Sequence, residues 1–342
     1  MVANSCKTPS NNRIKRPKAL ALLSGGLDSM LAVKLILEQG IDVEVVNFDT
    51  PFYRCDHCAI NRFADELKLK VHSVFLAEAL LEIVVNPLHG YGSQMNPCID
   101  CRILMFKKAK ELAEEICADF IVTGEVLNER PLSQREETML LIDKEAGVEG
   151  KILRPLSAKL LPETEPEKKG QVDRDRLLAI SGRRRLPQIE LAKKLDLKSY
   201  PNPSGGCLLT DPRFAQRLRE HLKNEKNLTV EDAELLTVGR HFRMDGAKII
   251  VGRNEEENNR LLTIAKNRRI PYLEAADYTG PIALYVGEDS PDLREKAAAI
   301  TVRYSDAPKD APANVIFRVG TEKIVEMEAR SIGEEELDAI RI

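Results

Sequence analysis

A doubly wound parallel α/β sheet followed by a smaller α+β domain is the fold class that this sequence predicts. Three observations carry it. Short apolar runs alternate with amphipathic runs as far as Gly124, the pattern of strands joined by right-handed helical crossovers. The first apolar run ends in a glycine pair that opens a helix, Ser24-Gly25-Gly26-Leu27-Asp28-Ser29. From about Leu228 the pattern changes to short β-like runs at Ala247–Val251, Ile282–Val286 and Val315–Val319.

The elements follow in order. Ala19–Leu23 is a buried strand and Met30–Glu38 an amphipathic helix. Ile41–Phe48 forms a second strand ending at Asp49, and Asn61–Leu69 a helix. Val71–Leu76 forms the third strand, and Ala77–Val85 a helix stopped by Asn86-Pro87. After a polar loop from His89 to Gln94, apolar residues recur at helical spacing from Ile99 to Ile116. Ala118–Gly124 is the fourth strand with a glycine exit. Pro162–Gly170 reads as a surface connection, and Asp175–Leu195 as helix interrupted near Gly182 and Pro187. Tyr200–Gly206 is a tight loop that delivers Cys207. The resulting division is a basic tail over 1–17, a first α/β domain over 18–222 and an α+β domain over 228–342.

Composition narrows the classes. A chain of 342 residues with 43% apolar and 31% charged residues has the makings of two or three soluble cores. No apolar run approaches the ~20 residues that span a bilayer, and the start is polar and basic rather than signal-like. Seven cysteines, an odd number, fit a secreted disulfide framework poorly. The expectation is a cytoplasmic protein without a membrane partner. The formal charge of −3 does not advertise nucleic acid, but basic residues cluster in the tail, at Arg174–Arg185 and at Lys266–Arg269.

The glycine turn between strand and helix is a phosphate cradle. Glycines let the backbone approach the ligand, successive N–H groups point at it, and the helix dipole favours an anion. Ser24 and Ser29 add hydroxyls, and Asp28 can reach a metal-bound phosphate. No lysine follows the glycines, so this is not a P-loop. The stretch resembles the SGGxDS motif of the PP-loop ATP pyrophosphatases, which implies an adenine-nucleotide α-hydrolase-like fold and use of ATP with Mg²⁺. Expected nucleotide ligands are Ser24, Gly25, Gly26, Asp28, Ser29, Asp49, Thr123 and Gly124. In sheets of this kind, ligands gather beyond the carboxyl ends of the strands.

Cys98 and Cys101 form a CxxC at a helix start, a position that suits redox chemistry or metal binding. With Cys207 they resemble the three-cysteine pattern of the tRNA-thiolating branch of the same family. That resemblance implies thiolates holding a [4Fe-4S] cluster with one iron open to sulfide. A persulfide route through Cys98 and Cys207 is the other mechanism of the branch, and soft thiolates also suit zinc. Asp28, Cys98 and Cys207 are the expected catalytic residues, and Cys98, Cys101 and Cys207 the expected metal ligands. Cys55 and Cys58 lie outside the pattern; a zinc site, a half-site and plain loop thiols all stay open. Thr123-Gly124-Glu125 with Ser133-Gln134, and Arg154-Pro155-Leu156, are similar to stretches of 4-thiouridine synthases. The resemblance covers about residues 18–215.

Ile249–Asn254 with Asn258, Asn259 and Leu261 resembles the opening of the RNA-binding NFACT-R domain. It implies phosphate contacts from Arg240, Lys248 and Arg253; an ordinary β-turn at Gly252–Asn254 is the alternative. The implied activity is an ATP-dependent tRNA-uridine sulfurtransferase. Its partners are tRNA and a sulfur donor, sulfide or a persulfide carrier, with a homodimer left open. A PP-loop amide- or nitrile-forming ligase with structural zinc, and a non-catalytic RNA-binding protein, are the alternatives.

Overall fold

The computed structural model describes residues 16–53, 57–200 and 206–342; Cys6, Cys55 and most of the basic tail and of the loop before Cys207 lie outside them. The chain divides into two compact units, Met1–Asp211 and Pro212–Ile342. Among the described residues no helix is long and apolar enough to cross a membrane.

The first unit runs β1 Lys18–Leu22, α1 Leu27–Leu37, β2 Asp42–Asp49, α2 His57–Leu67, β3 Val71–Phe75, α3 Ala77–Val85, α4 Cys98–Glu115, β4 Phe120–Val122, α5 Glu136–Glu145, β5 Ile152–Leu153, α6 Glu165–Lys168 and α7 Leu186–Lys194. Its strands pair in the order β3-β2-β1-β4-β5, all parallel. Strand β1 shows why the sheet is covered twice. Ala19 and Ala21 point into a core shared with α1 and α2, while Leu20 and Leu22 point into a core shared with α4. With both faces buried, the strand reads as a continuous apolar run.

One segment departs from expectation. Residues 177–185 are not helical: Leu178 and Ile180 donate to the carbonyls of Pro155 and Leu156, and Gly182 to that of Leu127. These backbone bonds to a neighbouring segment outcompete local helix formation. Pro187 lies in the first turn of α7 rather than interrupting a helix, where its missing N–H costs nothing.

The second unit runs α8 Pro212–Asn224, α9 Val230–Leu236, β6 Arg240–Met244, β7 Ala247–Val251, α10 Glu255–Arg268, β8 Pro271–Ala275, β9 Ala283–Gly287, α11 Pro291–Arg303, β10 Ala313–Val319, β11 Glu322–Ala329 and α12 Glu334–Ile340. Its sheet is antiparallel, in the order β11-β10-β8-β9-β7-β6. Phe242, Ile249, Tyr285 and Phe317 fill its main core.

Near the start of β2 Glu44 binds Lys18 at 2.6 Å, His72 at 2.6 Å and Lys70 at 3.3 Å. Burial pushes this carboxyl up, but the hydrogen bonds from Lys18, His72 and Lys70 outweigh it and lower the pKa from 4.5 to about 2. Its contribution to stability is therefore fully present above ~4.5 and is lost as pH falls towards about 2. Glu44→Gln should flatten that acid limb by on the order of 1 kcal/mol, read by urea unfolding at pH 3 and pH 7. An unchanged difference between the two pH values would refute the assignment.

Candidate active site

The site starts where β1 leaves the sheet. Leu23 still donates to the Val46 carbonyl at 2.9 Å, and the chain then turns through Gly25 at φ +79° into α1. Only glycine takes that left-handed conformation without strain. Gly26 caps α1 without a side chain, so the first N–H groups of the helix have no capping acceptor of their own. Ser29, almost fully buried, donates to the Gly26 carbonyl at 2.8 Å and accepts from the Ser24 amide at 3.3 Å. The turn is thus held by its own serine, and the uncapped helix start is of the kind that suits an anion.

Gly124 braces this turn from the exit of β4. A Cβ at Gly124 would stand 2.4 Å from the Ser29 nitrogen and 2.5 Å from the Asp28 carbonyl carbon. The two backbone segments therefore touch, and no side chain fits between them. Thr123 is buried beside it, its amide bonded to the Leu153 carbonyl at 3.0 Å and its hydroxyl accepting from the Glu125 amide at 3.3 Å. Glu125 leads inward to a buried charge network. Arg154 donates to Glu125 at 3.0 Å and to both oxygens of Asp143 at 2.8 and 2.7 Å. Arg102, next to Cys101, stands 3.5 Å from the other Glu125 oxygen. Burial raises the Asp143 pKa, and the bonds from Arg154 work against that rise.

Asp28 sits in the first turn of α1. Its Oδ2 accepts from Arg185 at 3.0 Å, whereas its Oδ1 is buried without a hydrogen-bond partner. Burial and the neighbouring Glu129 carboxylate push its pKa up to about 6, against the pull of Arg185 and Arg130. Such an oxygen is a ready ligand for a cation, and Mg²⁺ fits it. Asp49, at the end of β2, meets His57 at 3.0 Å and accepts from the Asn47 side-chain Nδ2 at 3.4 Å.

The cysteines come together from two segments. Cys98 is the first residue of α4, and the Asn96 side-chain Nδ2 donates to its sulfur at 3.2 Å. The Met95 amide bonds the Leu209 carbonyl at 3.1 Å, and the Leu208 amide bonds the Phe52 carbonyl at 2.9 Å. The CxxC entry and the Cys207 turn are thereby tied to each other and to the loop after β2. All three thiols are free and partly buried. Burial pushes Cys101 up to about 12 and Cys207 up to about 11, and the charge on Cys98 adds to both. Among the described residues no group of three His, Cys, Asp or Glu side chains converges as on a single metal ion; a cubane cluster asks for wider-spread thiolates. The thiol donor set suits a soft centre. Cys58 is exposed on α2.

Two contributors escaped the sequence reading. Arg185 stands at the end of the basic cluster Arg174–Arg185, and Asn96 lies between the polar loop and the CxxC. The run Arg183–Arg185 was the available signal for the first; nothing local marks the second. In the second unit, Gly252 and Asn258 explain each other: a Cβ at Gly252 would lie 2.0 Å from the Asn258 carboxamide oxygen, which accepts from the Ile282 amide at 3.1 Å. Asn254 caps α10 by accepting from the Glu257 amide. Lys248 corrects an expectation: it is buried and 3.8 Å from Glu220, so it does not present its charge to a phosphate. Arg253 is held by Glu257 at 2.9 Å, and Arg240 stacks over Tyr304 at 4.8 Å.

Comparison with known proteins agrees with this division. Residues 15–159 match the family described as Thiamine biosynthesis protein (ThiI), and residues 239–340 match the NFACT protein RNA binding domain. The tRNA-specific 2-thiouridylase MnmA of Pseudomonas savastanoi pv. phaseolicola (strain 1448A / Race 6) is 27% identical over 68% of this chain and 62% of its own length. A probable tRNA sulfurtransferase of Thermoanaerobacter sp. (strain X514) is 31% identical over 41% of this chain and 36% of its own. The chain thus spans less than two thirds of the length of these curated relatives. A solved 4-thiouridine synthetase–RNA complex with bound ATP is 23% identical over 64% of this chain and 53% of that one, with a TM-score of 0.35, a likeness too loose to bear on this site. By sequence, residues 15–159 are thus similar to the ThiI family and residues 239–340 to the NFACT protein RNA binding domain.

Proposed function

We propose that this chain is an ATP-dependent tRNA-uridine sulfurtransferase. The observation that carries the reading is the glycine turn with its uncapped helix start and the unpartnered Asp28 oxygen, a site made for a metal-bound triphosphate. The names of the MnmA and tRNA sulfurtransferase relatives point to tRNA as substrate, and the NFACT-type unit supplies an RNA-binding module.

The chemistry follows from the residues. Amides of the Ser24–Ser29 turn hold the phosphates, and Asp28 would hold Mg²⁺. The uridine carbonyl oxygen attacks the α-phosphate, and pyrophosphate leaves. Sulfur then displaces AMP at the same carbon, so no net redox change is needed when sulfide is the donor. Cys98, Cys101 and Cys207 would hold a [4Fe-4S] cluster, which supplies an open iron for sulfide. Asn96 and the Met95–Leu209 bond fix where two of these sulfurs stand.

Three experiments test the reading. Asp28→Asn should lower tRNA-dependent pyrophosphate release at least about 100-fold, whereas Cys207→Ala should spare pyrophosphate release and abolish thiouridine. Retained thiolation in Cys207→Ala would remove that cysteine from the mechanism. Iron and acid-labile sulfide after anaerobic purification, lost in Cys101→Ala, are expected if the cluster is bound. Gly124→Ala should cost about 1–3 kcal/mol by overpacking and weaken ATP binding, while Gly333→Ala, which faces open space, should leave thermal stability and ATP affinity unchanged. Wild-type ATP affinity in Gly124→Ala would contradict the bracing role.

A further inference from the structure

Arg185 reaches the phosphate-binding turn from far along the chain, and its surroundings are built to put it there. The segment before it is seated by the bonds of Leu178, Ile180 and Gly182 to Pro155, Leu156 and Leu127. The Ser157 hydroxyl clamps the same place, donating to the Ile180 carbonyl at 2.7 Å and accepting from the Leu127 amide at 2.9 Å. Two residues beyond Leu127 comes Glu129, whose amide bonds the Val126 carbonyl and whose side chain is 9% exposed. The Arg185 guanidinium lies between two carboxylates, 3.0 Å from Asp28 and 3.3 Å from Glu129. Arg130 also acts on Asp28 electrostatically.

The pairing is incomplete in an informative way. Asp28 Oδ1 is buried and has no partner although Oδ2 is bonded. A buried, unpaired carboxylate oxygen is costly, and one guanidinium does not satisfy it. A divalent cation would, but it would compete with the guanidinium for the same two carboxylates. A displaced arginine beside a triphosphate has an obvious destination, since its planar fork matches phosphate oxygens.

We propose that Arg185 is an exchangeable counter-ion of the phosphate-binding turn. Without nucleotide it bridges Asp28 and Glu129; when a divalent cation arrives with ATP, the cation takes its place and the guanidinium moves onto the triphosphate. Arg185 is thus a positioning residue that keeps the carboxylate pair assembled and screened until the metal-nucleotide is present. This rests on the reading that the turn binds ATP.

The test uses the full chain, Mn²⁺ as spectroscopic probe and an ATP analogue with a methylene between its α- and β-phosphates. In the absence of nucleotide, Arg185→Gln should bind Mn²⁺ about 10-fold or more tightly than wild type by electron paramagnetic resonance, because two carboxylates lose their counter-ion. The same variant should bind the analogue with Mg²⁺ about 10- to 100-fold more weakly by calorimetry, having lost a charged phosphate contact. Arg185→Lys, which keeps the charge without the fork, should fall between them in both assays and serves as the second variant should Arg185→Gln not fold. Unchanged or weaker Mn²⁺ binding in the variants overturns the proposal, as does unchanged analogue affinity. If wild type fails to bind the analogue, the ATP reading falls, while the Mn²⁺ comparison still decides whether Arg185 is the counter-ion.

Discussion

The contact between Gly124 and the Asp28–Ser29 peptide is the constraint on which the first unit's rim depends. Parallel strands deliver their carboxyl ends to one edge, but pleated neighbours normally keep side chains between the loops that follow them. Here the missing Cβ lets the exit of β4 press directly on the first turn of α1. That approach has two effects. It supports the glycine turn without a side-chain cap, leaving the helix N–H groups for a ligand, and it sets Thr123 and Glu125 immediately beside the turn.

From Glu125 the effect spreads through charges that cannot be left unpaired. Arg154 is buried and binds Asp143 through both terminal nitrogens and Glu125 through Nε. Removing any member would strand a buried charge, which is why such networks rigidify what they connect. Arg102 extends the chain of contacts to the residue beside Cys101. The glycine turn and the CxxC segment are therefore linked through the Gly124 contact and the ion pairs of the adjacent Glu125 with Arg102 and Arg154, and the Met95–Leu209 and Leu208–Phe52 bonds hold the Cys207 side in place. The sulfurtransferase chemistry we propose would need both places held to a common frame.

The second unit shows how a motif serves its own backbone. Gly252 makes room for the Asn258 carboxamide, Asn254 caps α10, and Arg253 is clamped by Glu257. These residues shape the β7–α10 corner. Lys248, on the strand leading into it, is paired inward with Glu220, and burial lowers its pKa to about 8 although Glu220 opposes the fall. Basic residues of this unit are thus partly structural.

Local chemistry made much of this protein legible from its sequence. The alternation of apolar and amphipathic runs carries the doubly wound sheet, because strand and helix periods are properties of neighbouring residues. The glycine turn and the CxxC at the start of α4 are local for the same reason. What the sequence could not reveal lies in pairs far apart along the chain. Arg185 meets Asp28 across 157 positions, and Lys18 and His72 meet at Glu44 from two other strands. Residues 177–185 lose their helix to bonds with Pro155, Leu156 and Leu127. Cys98 acquires a hydrogen bond from Asn96 only because the loop before α4 folds tightly over Gly92. Composition and spacing determined the elements and the chemistry available at their ends; the tertiary structure alone decided which charges pair, since Coulomb and hydrogen-bond energies depend on distance in space and not on separation in sequence.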